Sequence, residues 1–234
     1  MHSPLRAPIP VETLLLAYRS GIFPMADTRE DQDIFWVEPR DRAVIPLEGL
    51  HVSKSLKKVL RTDRFAVTLD AAFGDVIRAC SAPRPGHPES WISGRIVDSY
   101  EQLHEAGHAH SIECWNIAAD GTRALVGGLY GVTFDKVFCG ESMFSRADNA
   151  SKVALCWLVA LLREAGYALL DCQFMTDHLA SMGACELPQK DYLKLVQAAR
   201  GKPDLPLAAA YQRFASDDHS SPGKLIAQSL TQTS

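Results

Sequence analysis

From Val153 to Leu162 the chain carries ten consecutive residues without one polar side chain. A helix that is apolar on every side has to be covered on every side. The run must therefore lie between a sheet and further helices. Its flanks read as strand, polar loop, helix, strand. Phe138-Cys139-Gly140-Glu141-Ser142-Met143-Phe144-Ser145 leads in, and Asp148-Asn149-Ala150-Ser151-Lys152 turns the chain. Gly166 ends the helix, and Leu169-Leu170-Asp171-Cys172-Gln173 leads away. Glu141 and Asp171 fall at or just past the strand ends, where acids are expected to be paired, solvated or used.

The rest of the chain is organised around this unit. Residues 11–20 predict a short helix that Gly21 stops and Pro24 keeps from continuing. A loop at 31–36 and a short extended piece at 44–47 follow. Ser53 caps a helix over 54–61, its hydroxyl accepting from the first turn. Strand 65–69, helix 71–79, a turn-rich loop at 83–88 and a helix over 95–106 come next. Strands at 110–115, 125–132 and 136–139 form an antiparallel meander. Further helices are expected at 177–182 and 190–199, and the polar stretch 216–234 as a flexible tail. This order predicts an α+β fold with helices on both faces of a mixed sheet. It resembles the N-acyltransferase (GNAT) architecture, a likeness of fold that says little about chemistry.

Composition removes several classes. With 47% hydrophobic and 22% charged residues, 234 residues can bury a core without metals or disulfides. The six cysteines include no Cys-x-x-Cys pair, and the first residues lack the apolar core of a secretory signal, so reduced thiols in a cytoplasmic protein are expected. No apolar run is long enough for a membrane span. A net charge of −4 argues against coating nucleic acid by bulk attraction. It leaves room for a local patch: Lys54, Lys57, Lys58, Arg61 and Arg64 crowd into one short segment. Three- and four-residue spacing lines most of them on one face, as either a solvated helix face or a phosphate-contact stripe.

Several constellations invite chemistry. His104 and His108 have the spacing of helical zinc ligands, but Gly107 breaks the helix between them, so no metal site is expected. Cys172 with His178 has the composition of a nucleophile and base, yet alternation along a strand turns Cys172 away from Asp171 and Gln173, as a buried small hydrophobe. The glycines of Gly127-Gly128-Leu129-Tyr130-Gly131 lie inside a strand, where they allow a bulge or a close backbone approach. Asp171 and Gln173, two apart, are expected on one strand face, with Glu141 as a neighbouring second charge. Such a site suits a cationic substrate group, or else the carboxylate is a structural acid bonded to backbone N–H groups. Trp36 and Trp91, in loops, are core residues or stacking surfaces for unpaired bases. A coenzyme A-dependent N-acetyltransferase and a non-catalytic tRNA-binding module stand as alternatives. Against the first, Ser145-Arg146-Ala147-Asp148-Asn149-Ala150 has no glycine to cradle a pyrophosphate.

Longer strings narrow the choice. Tyr18-Arg19-Ser20-Gly21-Ile22-Phe23-Pro24-Met25, Ala109-His110-Ser111-Ile112-Glu113, Gly140-Glu141-Ser142-Met143-Phe144-Ser145, Asn149-Ala150-Ser151-Lys152, Leu170-Asp171-Cys172-Gln173 and His178-Leu179-Ala180-Ser181-Met182-Gly183-Ala184 occur in order. Together they resemble the leucyl/phenylalanyl-tRNA–protein transferase family over about residues 11–200. The resemblance implies a cytoplasmic enzyme of the N-degron pathway. Such an enzyme moves Leu or Phe (also Met) from aminoacyl-tRNA to the N-terminal Arg or Lys of an acceptor protein. It implies no metal and no cofactor, a small N-terminal domain over 1–62, and a GNAT-like (acyl-CoA N-acyltransferase-like) catalytic domain over 63–215. By the same resemblance, Asp171 and Gln173 are catalytic, and Glu141 with Asp171 binds the acceptor. Leu129, Phe138, Leu158, Leu162 and Leu170 line the donor side-chain pocket. Trp36 and Trp91 flank the terminal adenosine, and the basic stripe from Lys54 to Arg64 meets the acceptor stem.

Overall fold

The computed structural model describes residues 6–83, 89–216 and 221–231. In chain order the elements are α1 (Val11–Arg19), β1 (Phe23–Met25), β2 (Phe35–Val37), β3 (Asp41–Ile45), α2 (Lys54–Arg61), β4 (Ala66–Leu69), α3 (Phe73–Ser81) and α4 (Gly94–Glu105). They continue with β5 (Ala109–Ile117), β6 (Arg123–Phe134), β7 (Val137–Ser145), α5 (Ala150–Glu164), β8 (Leu169–Gln173), α6 (Asp177–Ser181), β9 (Cys185–Pro188), α7 (Gln189–Ala198), α8 (Leu207–Ala215) and α9 (Pro222–Ser229).

The fold is α+β. Seven strands among the described residues form one mixed sheet in the order β4-β5-β6-β7-β8-β3-β9. The expected meander is β5-β6-β7, antiparallel throughout. Among these described strands only β7 and β8 run parallel, joined by the crossover of α5. One face packs on α5, with α2, α8 and α9 behind it; the other packs on α1, α3, α4 and α7. The apolar run is thus covered from both sides: Val153 to Leu162 are all buried. Each leucine taken out of water there contributes about 1.5–3 kcal/mol.

The glycines in β6 admit close neighbours. A Cβ at Gly127 would sit 2.4 Å from that of Ala150, so glycine lets the first turn of α5 lie against the strand. The register shifts between Tyr130 and Gly131, where a Cβ would lie 2.3 Å from the Cys139 carbonyl oxygen.

Three expectations need correction. The loop at 31–36 ends in a strand, β2, which pairs with β1. β3 lies inside the large sheet, and α2 buries Leu56 and Leu60 in the core beside α5. The C-terminal stretch is no loose tail where it is described, because α9 buries Ile226 completely and Gly223 N donates to Asp63 Oδ1 at 2.7 Å. β7 continues to Ser145, so Glu141 lies within a strand rather than beyond it. The turn-rich loop at 83–88 lies outside the described residues from 84 onward, as do 217–220 and 232–234 of the expected tail. No helix among the described residues is long and apolar enough to cross a membrane.

Candidate active site

The parallel pairing of β7 and β8 runs from Val137 opposite Leu169 to Cys139 opposite Asp171, and stops. Beyond that point β7 stays with β6 as far as Ser145, while Gln173 on β8 pairs with Ala43 on β3. The sheet therefore splays, with Gly140 and Glu141 on one lip and Cys172 and Gln173 on the other. A cavity of about 810 Å³ opens there. Ser151, Leu155 and Leu158, spaced along one face of α5, form its floor with Leu129, Met143 and Leu170. Trp91, Phe174, Thr176, His178 and Leu179 complete the rim, and Glu141 is the one carboxylate among the described lining residues.

Gln173 has a left-handed backbone, with φ of 63°. The reversal breaks strand alternation. Leu170 and Cys172 face the cavity as alternating neighbours, Asp171 points away, and Gln173 is turned back to the cavity side. Its Nε2 donates to Glu141 Oε1 at 2.8 Å. Tyr100 donates to Glu141 Oε2 at 3.2 Å, and the hydroxyls of Tyr18 and Tyr100 are hydrogen-bonded to each other. Burial pushes the Glu141 carboxyl up to about 7, against these hydrogen bonds and with help from the nearby Asp171 charge.

Asp171 is not the open carboxylate expected of an acceptor-binding group. It is fully buried, and both oxygens are engaged. Arg42 Nε donates to Oδ1 at 2.8 Å and Arg42 Nη2 to Oδ2 at 2.5 Å. Tyr192 donates to Oδ2 at 3.2 Å, and Gln173 N to Oδ1 at 2.9 Å. Burial works against the Arg42 charge, but the carboxylate outweighs it and holds the guanidinium firmly protonated. The Gln173 side chain is oriented by Glu141, and only its backbone by Asp171.

The remaining expectations divide. Leu129, Leu158 and Leu170 line the cavity; Phe138 and Leu162 are wholly buried behind it and belong to the core. Trp91 reaches the cavity wall. Trp36 is 41% exposed on β2 and is not part of that wall. Ala26 N donates to the Trp91 carbonyl at 3.3 Å, which brings the end of β1 beside it. Ser53 caps α2 as expected, accepting from Leu56 N at 3.2 Å. Lys54, Lys58, Arg61 and Arg64 are exposed and Lys57 is half-buried. The segment before α2 touches the α6 turn, since His51 N donates to the Met182 carbonyl at 2.9 Å. The stripe thus begins close to the element that carries His178 and Leu179. Burial raises the Cys172 thiol, which keeps it an unreactive neutral group. His110 and Asp70 bond to each other at 2.7 Å, and no cluster of three metal-ligating side chains occurs among the described residues. Sequence reasoning missed Arg42, Tyr100, Met143 and Leu155. Arg42 carried one signal, as an arginine beside an apolar extended stretch.

A family model described as leucyl/phenylalanyl-tRNA protein transferase matches residues 44–197, and one for that family's N-terminal domain matches residues 8–40. The leucyl/phenylalanyl-tRNA–protein transferase of Novosphingobium aromaticivorans is 54% identical over 260 aligned positions, covering 97% of each chain. That of Rhizorhabdus wittichii is 54% identical over 190, covering 81% of this chain and 75% of its own. Among solved structures, FemX aligns with a TM-score of 0.49 and 10% identity, covering 86% of this chain and 70% of that one.

Proposed function

The chain belongs to the leucyl/phenylalanyl-tRNA protein transferase family and is an aminoacyltransferase, and from that premise we propose how its cavity works. It takes Leu or Phe, and also Met, from aminoacyl-tRNA and joins it to the N-terminal Arg or Lys of acceptor proteins, marking them for N-degron degradation in the cytoplasm. The observation that carries the reading is the splay: an apolar floor for the donor side chain meets Gln173 and Glu141 at one opening. A GNAT-like sheet is part of the proposal, supported by the single parallel pair and the parting of strands beyond it.

The donor is an ester and is already activated. A free α-amine has a reference pKa of about 7.7–8.0, so a useful fraction is neutral near neutral pH. The amine nitrogen bonds to the ester carbon, the bond to the ribose oxygen breaks, and the proton lost by nitrogen balances the one gained by that oxygen. No covalent enzyme intermediate is required. Catalysis is then mainly alignment, worth on the order of 7–11 kcal/mol in well-aligned cases. Glu141 engages Nε2 of Gln173, which leaves Oε1 to accept from the attacking amine and aim its lone pair. Glu141 also favours a positive acceptor side chain. Asp171 acts through the Gln173 backbone and touches no substrate. Leu129, Leu158 and Leu170, joined by Met143 and Leu155, receive the donor side chain. Trp91 and Trp36 take the terminal adenosine, and Lys54, Lys57, Lys58, Arg61 and Arg64 the acceptor stem.

The test mixes the protein with labelled leucyl-tRNA and a peptide beginning with Arg. Label entering the peptide, and not one beginning with Asp, is the expected result. No transfer under conditions where a family member works would sink the reading.

A further inference from the structure

Arg42 is 0% exposed, and it is the largest side chain buried that completely among the described residues. Removing a guanidinium from water is costly, and a hydrophobic pair of similar volume often serves stability as well or better. Stability alone therefore does not account for an ion pair here. The surroundings are built around the charge. Nη1 donates to the Gly21 carbonyl at 3.0 Å, and the guanidinium lies 5.0 Å from the Phe23 ring centre and 4.4 Å from that of Tyr192. Gln189 Nε2 donates to the same Gly21 carbonyl at 3.0 Å. Gly21 has φ of 78°, a conformation in which a side chain is strained, and a Cβ there would lie 2.6 Å from Gln189 Nε2 and displace it.

The far end of this assembly is Gln173. With both Asp171 oxygens held by the Arg42 fork, Oδ1 is fixed where it accepts from Gln173 N at 2.9 Å. That bond closes on a residue whose left-handed backbone is unfavourable for any side chain beyond Gly, Asn and Asp. The same backbone turn delivers the Gln173 amide to Glu141 and the cavity.

We propose that Arg42, held by Gly21, Phe23 and Tyr192, is a positioning residue for aminoacyl transfer: through Asp171 it locks the Gln173 backbone in the conformation that aims its amide at the reacting amine. The inference rests on the amine-holding role of Gln173. It gives the Tyr18–Met25 string a physical task, because Gly21 and Phe23 grip the guanidinium. Lysine cannot substitute, since a point charge cannot bond both Asp171 oxygens and the Gly21 carbonyl in one plane.

The experiment compares the wild-type chain, Gln173→Ala, Arg42→Ala, and the double variant Arg42→Met with Asp171→Leu. Urea unfolding reports folding, and single-turnover leucyl transfer to an Arg-peptide reports the reaction. The double variant is expected to remain folded, with a midpoint lowered by the loss of the partner of Gln173 N and of Tyr192. It should transfer about a hundredfold more slowly, the scale of loss for a misplacement of about 1 Å, while its affinity for leucyl-tRNA changes less than about threefold. Guanidinium ion added to Arg42→Ala should restore about tenfold of the lost rate where ammonium does not, because only guanidinium has the planar fork. A folded double variant at the wild-type rate overturns the proposal. If the double variant does not fold, rescue decides: restoration by guanidinium supports the proposal, and equal response to both cations overturns it. A Gln173→Ala enzyme at the wild-type rate removes the amine-holding role itself, an outcome distinct from the others.

Discussion

Replacing Glu141 with glutamine removes the charge from the cavity wall and keeps the shape of the side chain. Glu141 is 7% exposed, and burial above all raises its pKa from 4.5 to about 7. The folded chain then holds a proton on Glu141 between these two values that the unfolded chain has lost. The stability this proton provides is fully present below about 4.5 and is lost as pH rises through about 7. Across the whole window the loss is about 3 kcal/mol, at about 1.36 kcal/mol per tenfold change in affinity for the proton. Wild type and Glu141→Gln should therefore diverge. Between about pH 5 and about pH 8.5 the wild type should lose on the order of 2–3 kcal/mol relative to the variant. Urea unfolding at a series of pH values reads this directly, as a midpoint that falls with rising pH in the wild type and stays flatter in the variant. Parallel curves across the window would refute the assignment of a buried, half-titrated carboxyl.

Three further outcomes are expected. Gly131→Ala should destabilise the fold by about 2 kcal/mol or more, because the added methyl meets the Cys139 carbonyl and the Phe138 ring; an unchanged urea midpoint would contradict the close approach. Ile226→Ala should cost about 2–5 kcal/mol, since Ile226 is 0% exposed between α2, α5 and α8, whereas a loose tail would tolerate it without effect. Lys54→Ala with Lys58→Ala should reduce the salt slope of tRNA binding by about 1.5; an unaltered slope would make the stripe an ordinary solvated face.

Elements with strong local signals were legible in the sequence. The apolar run had to be a helix covered on both sides, Ser53 had to cap α2, and the meander followed from three strands joined by short turns. The strands read from sequence came out too short, as at β7, because pairing with neighbours extends a strand past its own propensity. The short strands β2 and β9 and the helices α8 and α9 had weak patterns of their own, and packing against the core made them ordered.

The site divides along the same line. Sequence by itself determined which residue types are present and that Glu141, Asp171 and Gln173 come from the two strands around α5. Strand periodicity placed Asp171 and Gln173 on one face. Only the tertiary structure decided otherwise: Gln173 takes a left-handed backbone that reverses its direction, and Arg42, 129 positions away in sequence, neutralises Asp171. Alternation is a local property, set by the pleat of one strand. A buried ion pair and the backbone turn it supports depend on groups that meet only when distant segments fold together.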